Sequence, residues 1–96
     1  MNQKIIEAIE SKTVIEFDYE GGMRTVEPHC YGVTTAGNEG LRAHQTAGYS
    51  SSGKLTMKMF DLGKASNIRL TEKTFDGPRP IYKRGDKGMS RIYKEL

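Results

Sequence analysis

The most reactive side chains of the chain lie in one short stretch, residues 24–32, which reads RTVEPHCYG. A zinc site needs four ligands, usually spaced cysteines and histidines, but this chain has one cysteine and two histidines. A cysteine nucleophile needs an oriented base, whereas adjacent residues on an extended strand point to opposite faces. We therefore predict structural roles for His29 and Cys30, and we expect no catalytic site, no metal and no cofactor.

Arg42 and His44 share one face of a predicted strand over 39–46, because side chains alternate along a strand. Lys58, on a neighbouring predicted strand over 55–62, could join them. A cationic patch with one titrating histidine suits phosphate binding. The alternative is that all three are ordinary exposed strand residues, and their spacing alone leaves both interpretations open.

Two other patterns were candidates for chemistry. Glu16 and Asp18 lie on one face of a predicted strand without apolar shelter, which is typical of solvated surface rather than acid–base catalysis. The Gly/Ser-rich stretch Gly48–Lys54 lacks the spacing of a phosphate-binding P-loop. We predict a flexible hairpin tip there, with a ligand contact through Ser50–Ser52 as the alternative.

Size and composition limit what can position these residues. The chain has 96 residues, of which 35% are apolar, and it has no tryptophan, so we expect one small domain with a thin core. Eleven glycines and three prolines favour a turn-rich β domain. A single cysteine forms no internal disulfide, and the N-terminus has no long apolar run. We expect a soluble cytoplasmic protein that does not contact membranes.

The patterns along the chain predict one helix followed by five or six short strands. Ile5, Ile6 and Ile9 form an apolar stripe in a helix over 2–11 with Asn2 as its N-cap. The first hairpin turns at Gly21-Gly22. Alternation and turn residues predict strands over 13–20, 23–27, 29–35, 39–46, 55–62 and 68–71. Pro28 is expected to end the second strand. This order favours a mainly β (α+β) fold, a small barrel after an N-terminal helix.

The positive excess of the chain lies in its C-terminal tail. Residues 79–96 carry six basic and two acidic side chains, whereas residues 1–78 carry nine and ten. Such a segment can meet phosphates or anionic partners, and a solvated, weakly basic tail is the alternative. We divide the chain into a domain, 1–77, and a tail, 78–96, that docks on it or on a partner chain. The tail is expected to end in a short helix with an apolar stripe of Met89, Ile92, Tyr93 and Leu96.

Three segments, read in order, resemble the WYL domain, a family named for a Trp-Tyr-Leu motif on one strand. These segments are IEFDYEGGMRTVEP, GLRAHQT and KMFDLGKASNIRLTEKTF. The run RPIYKRGDKGMSRIYKEL resembles the tail of short standalone WYL-like proteins that lack a helix-turn-helix. The resemblance implies an Sm-like, SH3-type β-barrel. It also implies similarity to ligand-sensing modules of bacterial transcription regulators and phage-defence systems, some of which bind single-stranded nucleic acid or nucleotides.

The chain departs from the family at two motifs. Glu39-Gly40-Leu41 stands where the family has Trp-Tyr-Leu, which removes a stacking platform worth roughly 1–3 kcal/mol per base. Lys58 stands where the family has an arginine, so the planar fork for bidentate phosphate contact is lost. The ligand of the family therefore does not transfer directly to this chain.

Composition and resemblance together lead to two hypotheses. The first is a non-enzymatic, regulatory module that binds single-stranded nucleic acid or a nucleotide-like anion. In it, Arg42, His44 and Lys58 neutralise charge, and Tyr49 or Tyr82 supplies stacking. The second is a protein–protein interaction or self-association module that regulates a partner protein, with a homo-oligomer as one form.

Overall fold

The chain begins with a helix, α1 (Gln3–Ser11), in the computed structural model, which describes residues 1–96. The side chain of Asn2 caps α1 by accepting hydrogen bonds from the backbone N–H groups of Lys4 and Ile5. Ile5, Ala8 and Ile9 are buried on the face that packs on the sheet. The predicted N-terminal helix is confirmed.

Six antiparallel strands follow α1 and form one sheet. They are β1 (Thr13–Tyr19), β2 (Gly22–Thr34), β3 (Glu39–Gly48), β4 (Met57–Asp61), β5 (Ser66–Thr74) and β6 (Met89–Glu95). The order across the sheet is β4-β3-β2-β1-β5. Strand β6 pairs with the end of β2 that β1 does not reach. The mainly β architecture is therefore confirmed.

The first hairpin turns one residue earlier than predicted. Tyr19 pairs with Gly22, so Glu20 and Gly21 form the two-residue turn and Gly22 already belongs to β2. Gly21 has a φ of 90°, which favours glycine because other residues are strained in this region. The shift places Phe17 opposite Arg24, so that both side chains lie on the same face of the sheet.

The prediction that Pro28 ends a strand is wrong. Strand β2 runs through Pro28 for 13 residues, with a register shift against β3 between Pro28 and Cys30. Pro28 lies between Val26, the last residue paired with β1, and Cys30, the first paired with β6. Its missing N–H is tolerated in this gap, since proline is accepted at bulges and unpaired edges.

The predicted C-terminal helix is also wrong, because residues 89–95 form β6. Pairing with the open edge of β2 satisfies the backbone of this segment, and such tertiary pairing overrides a local helical spacing. Gly32 permits the approach of the two strands, since a Cβ atom at Gly32 would lie 2.0 Å from the carbonyl oxygen of Arg91. The tail thus returns to the sheet, where Tyr93 packs edge-on against Tyr31.

The sheet is strongly curved around an aromatic core. Two strands separate β1 from β4, so a flat sheet would hold them roughly 14 Å apart. Nevertheless Phe17 of β1 and Phe60 of β4 contact edge-to-face, with ring centroids 5.2 Å apart. The Asp61 N–H also donates to the Tyr19 hydroxyl over 3.1 Å. No hydrogen-bonded pairing joins β4 to β5, so the sheet is not closed.

α1 is too short to cross a membrane.

We expect a chain cut after Gly77 to lose cooperative unfolding. The cut removes β6 and uncovers Cys30 and Tyr31, which are fully buried in the whole chain. Circular dichroism during thermal unfolding measures the effect. Arg91→Ala, which changes an exposed side chain of β6, is the control and should keep a sharp transition. A cut chain that unfolds as sharply as the full chain would contradict the account of β6 as part of the sheet.

Candidate functional site

The five predicted ligand-binding residues do not form one site. Lys58 and Tyr49 line an open depression of about 520 Å³ between the β1–β2 turn and β4. Arg42 and Tyr82 line another, of about 490 Å³, beneath residues 81–87. His44 lines neither depression.

The register of β3 and β4 explains why Lys58 does not join Arg42 and His44. Directly paired residues of an antiparallel sheet lie on the same face. Lys58 pairs with Ala43, whereas Met57 pairs with His44. Lys58 therefore lies on the face opposite to Arg42 and His44, and the predicted three-residue cationic patch is wrong.

Arg42 is engaged in an ion pair with the tail. Its Nε donates to Oδ2 of Asp86 over 2.6 Å, and its Nη2 donates to Oδ1 over 3.2 Å. This bidentate contact raises the pKa of Arg42 and lowers the pKa of Asp86, whose side chain is 9% exposed. Arg42 therefore fixes the tail and offers no free charge to a ligand.

His44 contributes no positive charge near neutral pH. Partial burial and the positive charge of Arg79 lower its pKa below the ordinary value of 6.5. Its Nδ1 is buried without a hydrogen-bond partner. The neutral ring is therefore not an anion-binding group.

Tyr82 is packed against His29 and is not free to stack on a ligand. The two rings meet edge-on with centroids 5.0 Å apart, and Phe75 stacks on His29 at 5.8 Å. The Tyr82 hydroxyl is buried beside the Cys30 thiol. Burial raises the pKa of Cys30 to about 11, so the thiol is protonated at neutral pH.

No group of three or more His, Cys, Asp or Glu side chains is placed to hold a metal ion.

Arg24, for which the sequence predicted only a place in the strand over 23–27, carries an unusual buried charge. It is 5% exposed and forms no ion pair with any carboxylate. Its Nη2 donates to the carbonyl oxygen of Glu20 over 2.8 Å, and its Nε is buried without a partner. Three aromatic rings surround the guanidinium carbon, at 5.0, 5.3 and 5.9 Å from their centroids: Tyr19, Tyr49 and Phe60.

Lys58 places a second positive charge in the same depression. Its Nζ donates to Oε1 of Gln45 over 3.0 Å and to Oγ of Ser50 over 2.7 Å, but to no carboxylate. Gln45 is buried, and its Nε2 donates to the carbonyl oxygen of Tyr49, so its oxygen must face Lys58. Burial, and after it the charge of Arg24, lowers the pKa of Lys58. Two neighbouring cations thus lack an anion.

The β1–β2 turn and the start of the next loop position Tyr49. A Cβ atom at Gly21 would lie 2.4 Å from the Tyr49 ring, so only glycine lets this ring lie over the turn. Gly48 has a φ of 91°, and a Cβ there would lie 2.2 Å from the carbonyl oxygen of Met23. Tyr49 remains 46% exposed at the mouth of the depression. We call the depression around Arg24, Lys58 and Tyr49 the Arg24 site.

No family model, no curated protein and no solved structure matches this chain. The assignment of a function therefore depends on the geometry of the molecule and on the resemblance noted in its sequence.

We expect His29 to make folding sensitive to mild acid. Its Nδ1–H donates to the carbonyl oxygen of Glu27, and its Nε2 accepts from the N–H of Arg79, so the folded site has no place for a second proton. Burial lowers its pKa below 6.5. The unfolded chain takes up this proton as the pH falls through 6.5, and the folded chain does not. The free energy of unfolding should therefore fall with pH below that value.

Urea denaturation between pH 7.5 and 5 and the ¹⁵N shifts of the two imidazoles measure this effect. His44→Gln is the control, because it should leave much of the pH dependence in place. A His29 ring that titrates at or above pH 6.5 in the folded protein would contradict the prediction.

We expect Arg24→Met to leave stability unchanged or to raise it by up to about 2 kcal/mol, because it removes a buried charge that has no anionic partner. The loss of contacts with three rings partly offsets this gain. Arg42→Met is the matched comparison. It leaves the Asp86 carboxylate unpaired and should cost at least about 2 kcal/mol. Urea denaturation measures the free energy of unfolding of both variants. An equal loss of stability in the two would show that Arg24 is an ordinary structural residue.

Proposed function

We propose that this chain is a non-enzymatic, regulatory, WYL-like module that binds single-stranded nucleic acid or a nucleotide-like anion at the Arg24 site. The observation that carries the proposal is the buried, unpaired guanidinium of Arg24 beside Lys58. Burying a charge without a counter-charge is costly, and a phosphate in the depression would supply the missing anion.

The chemistry of the two cations favours phosphate as the ligand group. The guanidinium fork matches the oxygens of a phosphate, and Arg24 donates only one side-chain hydrogen bond, from Nη2 to the carbonyl oxygen of Glu20. Lys58 is held by two neutral oxygens, those of Gln45 and Ser50, which an anion can replace. Charge-assisted hydrogen bonds are stronger than neutral ones, so this exchange favours binding.

The exposed ring of Tyr49 supports a ligand that carries a base. Tyrosine at the mouth of a cationic groove is a platform on which a base stacks, worth roughly 1–3 kcal/mol per base. In the resemblance to WYL domains, this ring takes the place of the absent Trp-Tyr pair. The other three predicted residues have no role in the proposed binding. Arg42 is engaged in its ion pair with Asp86, and the lowered pKa of His44 keeps its ring neutral. Tyr82 is packed against His29.

The curvature of the sheet supports the finer part of the fold proposal, an Sm-like, SH3-type barrel. Aromatic contacts bring β1 next to β4 although two strands lie between them. The Arg24 site opens at this seam, since its walls come from the β1–β2 turn and from β4. Open ends of barrels are common places for ligand sites.

We expect Arg24→Met and Lys58→Met each to weaken binding of a fluorescein-labelled oligothymidylate by at least roughly tenfold, because each removes one phosphate contact. Fluorescence anisotropy at two salt concentrations measures affinity, with oligouridylate and cyclic nucleotides as competitors. Lys58→Met should also lower the slope of log affinity against log salt by about 0.7.

Arg91→Met is the matched control, since Arg91 also lies over a tyrosine ring but is exposed on β6. It should bind like the unaltered chain. Absence of binding at low salt, or binding that survives both Arg24→Met and Lys58→Met, would overturn the proposal.

A further inference from the structure

Residues 78–88, which we call the 78–88 loop, are held firmly although they contain no helix or strand. At one end Arg79 donates through Nε and Nη2 to the two carboxylate oxygens of Glu27, over 2.8 and 3.0 Å. At the other end Asp86 accepts from Arg42 and from the N–H of Gly88. Between them Tyr82 packs on His29. Three anchors thus fix the loop on the sheet.

The outer side of this loop combines free positive charge with an exposed aliphatic side chain. Lys83 and Lys87 belong to no ion pair of the structure. The Arg84 side chain is 74% exposed and contacts Glu95 and the carbonyl oxygen of Leu96. Ile81 is 71% exposed, and it lines the same depression of about 490 Å³ together with Met57. The folded chain thus holds an apolar group in water among three cations.

The balance of charge in the depression favours an acidic occupant. Four basic side chains line it (Arg42, Lys83, Arg84 and Lys87), against one acidic side chain, Asp86. The Asp86 carboxylate is already used by Arg42, and Arg84 is paired with Glu95, so Lys83 and Lys87 are the charges that remain without a carboxylate. Complementary charge steers and orients an acidic partner.

The apolar part of the depression favours a peptide rather than a nucleic acid. Bases stack on flat aromatic rings, but the Tyr82 ring is packed on His29, and Ile81 and Met57 are aliphatic. Such side chains accept a leucine-like group. The rigid anchoring of the loop lowers the ordering cost of binding.

We propose that the 78–88 loop is a docking surface for an acidic peptide segment of a partner protein, in which carboxylates meet Lys83, Arg84 and Lys87 and one aliphatic side chain covers Ile81. This surface is separate from the Arg24 site, because no residue lines both depressions. The proposal stands or falls independently of nucleic-acid binding.

The test is a titration of ¹⁵N-labelled full chain with a seven-residue peptide of aspartates and glutamates around one central leucine. We expect saturable shifts of the amides of the 78–88 loop, with a dissociation constant below about 1 mM. Ile81→Ser should weaken binding roughly fivefold to tenfold, since it removes the apolar contact. Lys83→Ala combined with Lys87→Ala should weaken binding roughly tenfold and reduce its dependence on salt.

Matched controls separate this surface from general charge and hydrophobicity. Leu55→Ser removes another exposed aliphatic side chain, and Lys73→Ala removes an exposed lysine of β5; neither should change binding. A peptide with a central alanine should bind at least roughly fivefold more weakly. The proposal is overturned if the leucine peptide causes no saturable shifts, if the two peptides bind equally, or if only an oligothymidylate shifts the 78–88 loop.

Discussion

Strand β2 is the element on which the rest of the structure depends, because it pairs with three other strands. Its first residues, Gly22–Val26, pair with β1, and its last, Cys30–Thr34, pair with β6 on the same edge. Its other edge pairs with β3 along most of its length. The register shift beyond Pro28 marks the place where β1 gives way to β6, and bulges of this kind increase the bending and twist of a strand.

Local information was sufficient for the parts of the fold that depend on neighbours in sequence. Asn2 caps α1 through its own side chain, and the alternation of β3 places Leu41 and Ala43 in the core with Arg42 on the other face. These features follow from side-chain periodicity and capping, which act within a few residues. They could therefore be predicted before the structure was known.

Two of the wrong predictions depend on pairing between residues that are distant in sequence. The spacing of Met89, Ile92 and Tyr93 fits a helix, but the free edge of β2, more than 50 residues earlier, makes this segment a strand. The second wrong prediction places Lys58 beside His44. The register between β3 and β4 decides which residues of the two strands are paired. A register change of one residue moves a side chain to the other face of the sheet. Arg24 differs from these. The alternation of the strands places Arg24 on the apolar face with Phe17. A charged residue is not expected to be buried, so this position did not identify it as a site residue.

The Arg24 site and the 78–88 loop both contain a side chain that contributes little to the free energy of folding. A buried guanidinium without a carboxylate costs free energy, and an isoleucine that stays 71% exposed gains little free energy from burial. Strand β4 lies between them, since Lys58 and Phe60 line the Arg24 site whereas Met57 lines the depression under the 78–88 loop. Because alternate side chains of one strand point to opposite faces, a single edge strand of five residues separates the proposed phosphate site from the proposed docking surface for an acidic peptide. The same alternation that removed Lys58 from the patch first predicted for it thus keeps the two proposed binding surfaces apart on this small chain.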